Sequence, residues 1–148
     1  MVVKICAMLV TILVGALGAS AVGLSGAAVT SQDPHRVVMH LNSGDEKVQR
    51  GALNNIRNLY QEVGRERLRV ELVVHGAGLP LLTKKDSTLA AELAQLKTAY
   101  DVEFTACSNT MKAMNLTLRD LVEQVDRTVP AMVRLMELQE QGWAYIKP

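Results

Sequence analysis

Strand-like apolar runs alternate with helix-period segments across residues 36–148, which predicts an α/β fold: a three-layer sandwich on a mainly parallel five-stranded sheet. Connections between the runs are short, and parallel neighbours need crossovers whose helices cover the sheet faces. The run Arg67-Leu-Arg-Val-Glu-Leu-Val-Val-His75 alternates at first and then turns continuously apolar, as a strand does when both faces of its sheet are covered.

The elements follow in order. Arg36–Asn42 is apolar and β-branched and reads as the first strand, and Ser43-Gly-Asp-Glu46 after it reads as a capping box that opens a helix. Val48, Ala52, Ile56, Leu59 and Val63 recur at helical spacing, and Gly64 closes that helix. The second strand is Arg67–His75. Asp86-Ser-Thr88 supplies caps for a helix whose stripe is Leu89, Leu93, Leu96 and Tyr100, and Val102–Ala106 is the third strand. A helix near Leu118–Val122 precedes a weak strand at Val125–Val129. Pro130 and Gly142 then bracket a last helix, and Trp143–Ile146 ends the chain as an edge strand.

Charge divides the chain. Sixteen Lys and Arg balance fifteen Asp and Glu, and no charge falls between Lys4 and Asp33. The apolar run from Ile5 to Leu17 followed by Ala19-Ser-Ala21 has the layout of a signal peptide over residues 1–21, with a second cleavage candidate at Ser25-Gly-Ala27. The expected organisation is that leader, a flexible lead-in over 22–35 and one domain over 36–148, exported to the periplasm. An uncleaved anchor over residues 5–29 is the alternative. Cys6 would leave with the leader, so Cys107 would be the one mature thiol. Near-neutral charge and five aromatic residues argue against nucleic acid as a partner.

Ligands of parallel sheets bind beyond the carboxyl ends of the strands, where Asn42, His75 and Cys107 are expected. Cys107 carries the sharpest chemistry. Asn109 or Thr110 is placed to cap a short helix running towards Met114, whose free N–H groups would favour a thiolate. No second cysteine lies nearby to resolve a dithiol, so persulfide carriage or intersubunit exchange are the reactions left. The competing reading is a packed core cysteine. His75 is either an acid–base group or structural, His40 a packed or interface residue, and His35 without a role.

Other signals have plain explanations. Gly76-Ala-Gly78 is rejected as a phosphate loop because Pro80 and Leu81 do not suit the helix entry. The histidines and the mature cysteine lack metal-ligand spacing, and no cofactor is expected. Met132 and Met136 read as core packing, and Glu66, Arg67, Arg69 and Glu71 as a solvated or interfacial strand boundary. Asn115-Leu-Thr117 fits a glycosylation acceptor or a helix cap. Val37, Met39 and Trp143 are more apolar surface than a small sheet needs, which predicts a homo-oligomer.

Four separated blocks, His40-Leu-Asn-Ser-Gly-Asp-Glu-Lys-Val-Gln-Arg-Gly-Ala-Leu-Asn-Asn-Ile-Arg-Asn-Leu59, Glu71-Leu-Val-Val-His-Gly76, Ala106-Cys-Ser-Asn-Thr110 and Gly142-Trp-Ala-Tyr-Ile-Lys-Pro148, resemble the exported branch of the DsrE/DsrF-like sulfur-relay family. The resemblance covers about residues 36–148. It implies a DsrE-type α/β fold, oligomeric assembly, and a cysteine beyond a strand end that accepts and passes sulfur as a persulfide. By position that residue is similar to Cys107. The resulting expectation is a sulfurtransferase-like carrier at Cys107. Asn42, Asn109 and Thr110 would position the donor, His75 would handle protons, and a sulfur donor or acceptor protein would be the partner. The rival expectation is a non-enzymatic oligomeric binding module in which Cys107 is structural.

Overall fold

The computed structural model describes residues 33–148. The leader, both cleavage candidates, Cys6 and the anchor alternative lie outside the described residues. Five strands, β1 (His35–Leu41), β2 (Leu68–Val74), β3 (Glu103–Cys107), β4 (Val125–Val129) and β5 (Ala144–Ile146), form one sheet in the order β4-β3-β2-β1-β5. Every pairing is parallel. The helices are α1 (Glu46–Val63), α2 (Ala90–Tyr100), α3 (Ser108–Ala113) and α4 (Ala131–Glu140), with 3₁₀ segments at Arg65–Arg67, Gly76–Leu82 and Leu118–Asp120.

Strand order decides which face each helix covers. The chain steps from β1 outward through β2 and β3 to β4, then jumps back across the sheet to lay β5 on the other side of β1. Right-handed crossovers taken in one direction all fall on one face, and the reversed step puts its helix on the other. α1, α2 and the first turns of α3 accordingly pack on a large core that includes Met39, Leu53, Ile56, Leu72, Leu93, Phe104 and Met111. Among the described residues α4 alone covers the opposite face, over a small cluster of Val38, Val73, Cys107, Ala131, Leu135 and Leu138, with Trp143 against it.

Several local details differ from the sequence reading. The cap of α1 is Asp45, whose carboxylate accepts from the Lys47 N–H at 2.7 Å; Ser43 instead accepts from the Asp45 N–H, so the Ser43 capping box does not form. Asp86-Ser-Thr88 does not cap α2, which starts after Leu89, because Thr88 donates to Glu46 and Asp86 pairs with Thr83. The expected helix at Leu118–Val122 is only a 3₁₀ turn, held by a capping box between Thr117 and Asp120. His35 belongs to β1 rather than to a lead-in. Gly64 ends α1 at φ 95°, a left-handed conformation that a side chain would strain.

Burial overturns three assignments. Val37 and Met39 are buried in the chain's own core and Trp143 packs on the smaller cluster, so they do not form a spare apolar surface. Met132 and Met136 are 56% and 52% exposed, because α4 turns Ala131, Leu135 and Leu138 towards the sheet. Glu71, expected at a solvated boundary, is fully buried.

Phe104, the second residue of β3, is fully enclosed in the large core. Phe104→Ala lowers the unfolding free energy by about 3–5 kcal/mol in denaturant melts, whereas His35→Ala at the exposed start of β1 changes it by less than about 0.5 kcal/mol.

Candidate functional site

α3 leaves the end of β3 towards the large core, whereas α4 leaves the end of the neighbouring β4 towards the opposite face. Such a divergence at the carboxyl edge marks the place where open parallel sheets hold their ligands. Cys107 is the last residue of β3 and is buried where these two helices part. Pro130 precedes α4 and has no capping side chain, so one of the unsatisfied first-turn N–H groups, that of Ala131, donates instead to Cys107 Sγ at 3.4 Å.

The Thr110 hydroxyl and the Thr110 and Asn109 N–H groups, in the first turn of α3, also favour negative charge on the sulfur. Thr110 is oriented from behind, since its Oγ1 accepts from the Gly76 N–H at 3.0 Å. Burial pushes the Cys107 thiol up, but the Thr110 hydroxyl and the N–H groups of Ala131, Thr110 and Asn109 outweigh it and bring the thiol below its ordinary value. Cys107 is itself the residue before α3, so Asn109 and Thr110 lie inside the first turn and do not cap it as expected. Cys107 is only 6% exposed.

His75 stands just past β2, the strand beside β3. Its Nε2 lies 2.6 Å from Nε2 of His40, and His40 Nδ1 lies 2.6 Å from the Tyr145 hydroxyl. The two rings are nearly coplanar and meet end to end, so one facing nitrogen donates and the other accepts. That spacing is shorter than the roughly 3.3 Å which two imidazole nitrogens need around a tetrahedral zinc. Burial lowers both histidines below their ordinary value, with Lys147 adding to it for each and His75 adding to it for His40. Among the described residues no group of three or more His, Cys, Asp or Glu could hold a metal ion.

The sequence-predicted residues are therefore partly united. Cys107, Thr110 and Asn109 meet at one sulfur, and His75 ends the adjacent strand. Asn42 is exposed at the end of β1, two strands from Cys107, where its backbone packs closely on Gly78; a Cβ there would come within 3.2 Å of it. Sequence reasoning missed Ala131, Tyr145 and Glu71. A backbone donor leaves no residue-type signal, and Tyr145 is 105 residues from His40, its partner.

A cavity of about 430 Å³ borders this line of residues, walled by His40, Tyr145, Leu135, Met132, Met136 and Gln139. The described residues contain no helix long and apolar enough to cross a membrane.

Comparison with known proteins agrees with the fold. A solved structure from Methanobacterium thermoautotrophicum, the protein of unknown function MTH1491, is 33% identical, with a TM-score of 0.71 over 77% of this chain and 99% of its own. The ychN protein from E. coli is similar in fold, at 15% identity and a TM-score of 0.61, again covering 77% of this chain and 99% of that one. No curated protein matches. The model of the DsrE/DsrF-like family matches residues 36–148, and the chain belongs to that family.

Proposed function

We propose that the domain carries sulfur on Cys107. The observation that supports this most is the setting of Cys107 Sγ, where α3 and α4 diverge, with N–H donors from the first turn of each. Such donors stabilise negative charge on sulfur, and the thiolate is the nucleophile. The Cys107 thiolate attacks the outer sulfur of a donor persulfide R–S–SH; the donor's S–S bond breaks, a new one forms, and R–S⁻ leaves, giving Cys107–S–SH. An acceptor thiolate then takes the outer sulfur and Cys107 returns as thiolate. No net oxidation occurs in either step.

His75, neutral near pH 7 because its pKa is lowered, would take the proton of an incoming acceptor thiol, with His40 and Tyr145 as its hydrogen-bonded support. We also propose export of the mature chain and its assembly into a homo-oligomer. Met132, Val133, Met136 and Tyr145 are exposed together around α4 and β5 and supply the apolar surface for a second copy, in place of Val37 and Met39. The alternative, a binding module with a structural cysteine, draws on the 6% exposure of Cys107.

Native and denaturing mass spectrometry of the protein recovered from an exporting host, before and after polysulfide treatment, tests these points together. The expected result is a multimer without the leader, whose chains gain one sulfur that a reductant removes and that Cys107→Ser abolishes. A folded wild-type protein that gains no sulfur contradicts carriage and favours the binding module, and a monomer mass contradicts assembly.

The histidine pair gives a pH dependence. Because the folded-state pKa of both histidines lies below the unfolded value, the unfolded chain binds more protons as pH falls through about 6.5. Stability is therefore complete above that value and declines below it. The thermal midpoint drops between about pH 7.5 and about pH 5.5, and His40→Asn makes the drop shallower; an unchanged slope in that variant contradicts the assignment.

A further inference from the structure

The cluster of charges beneath α4 takes no part in the sulfur chemistry, yet it connects to the reacting atom. Glu71 is fully buried in the middle of β2, and both of its oxygens are filled. Oε1 accepts from Thr105 Oγ1 at 2.6 Å and from Arg134 Nε at 2.9 Å; Oε2 accepts from Arg134 Nη2 at 2.6 Å and from Arg127 Nη1 at 2.9 Å. Arg134 thus grips the carboxylate with a two-pronged fork from α4, whereas Arg127 reaches it once from β4 and divides its charge with Glu103.

Arg134 is one helical turn after Ala131, and its own N–H closes that turn on the Pro130 carbonyl at 3.0 Å. The Ala131 N–H at the head of the same turn is the group that donates to Cys107 Sγ. We propose that Glu71, through its bidentate pair with Arg134, is a positioning residue for Cys107: it seats the first turn of α4 so that the Ala131 N–H stays on the sulfur. This rests on the reading of Cys107 as the reacting thiol and adds to it what keeps the donor in place. The contact of 3.4 Å is ordinary for an N–H donating to sulfur, and a displacement of the turn by about 1 Å breaks it.

Lysine in place of Arg134 keeps the charge and loses the fork, which separates geometry from electrostatics. The test follows the pH dependence of Cys107 alkylation by iodoacetamide in a Cys6→Ala background, where Cys107 is the remaining thiol. Wild type is compared with Arg134→Lys, Glu71→Gln and Arg127→Lys, with folding checked by circular dichroism.

In Arg134→Lys and Glu71→Gln the alkylation midpoint moves to higher pH, and the rate at neutral pH falls by about threefold to tenfold, the weight of one hydrogen bond. Arg127→Lys keeps the wild-type midpoint. A folded Arg134→Lys protein with the wild-type midpoint overturns the proposal, as does an equal shift in Arg127→Lys, since either would make the cluster a matter of stability or net charge alone. The readout needs no sulfur transfer, so a wild-type protein that takes up no sulfur would refute carriage while leaving the positioning result standing.

Discussion

A carboxylate with no access to water must find compensation inside the protein, and Glu71 sets that demand at the centre of the sheet. Arg134 from α4, Arg127 from β4 and Thr105 from β3 meet it, so three elements besides β2 are tied to one side chain. The value of such a cluster lies less in net stability than in specifying one arrangement, because removing a single partner of a buried pair costs about 3–5 kcal/mol. The face covered by α4 has a small apolar cluster, and without that fork little would fix the register of a ten-residue helix over it.

The two faces differ because of chain order. Successive crossovers from β1 to β4 build a large core on one side, and the single return to β5 leaves the other to α4. The same reversal separates α3 from α4 at the ends of neighbouring strands. Cys107 stands where these paths part and becomes the acceptor for an N–H group that Pro130 leaves uncapped. Topology, an uncapped helix and a thiol's location are thus one physical fact seen at three scales. His75, His40 and Tyr145 extend the polar line across β2, β1 and β5 on that face as a hydrogen-bonded chain.

Most of the architecture was legible in the sequence because it is carried by local pattern. The run ending Leu72-Val-Val74, the stripe on α1 and the pair Pro130 and Gly142 place strands and helices without knowledge of the partners. Of the candidate site, the position of Cys107 was legible, since it ends a recognisable strand. What stayed hidden depends on contacts distant in sequence. Glu71 reads as surface until Arg127 and Arg134 are brought to it from 56 and 63 residues away. Met132 and Met136 fit a core stripe by spacing, and only the direction in which Leu135 faces shows that they point outward. Caps misled for a related reason: Ser43 and Thr88 have the right residue type, but nearby Asp45 and Glu46 engage them first.

Sulfur carriage depends on one property, a Cys107 thiol that ionises more readily than an ordinary cysteine because the Thr110 hydroxyl and helix N–H groups hold its charge. Titrating the carbon chemical shift of the Cys107 Cβ in the folded protein measures that property at the atom concerned. A midpoint below the roughly 8.5 of a free cysteine, moving up when Thr110 is replaced by valine, is the predicted result. A midpoint at or above that value would show that burial outweighs the donors, and Cys107 would then be a packed residue of the α4 face.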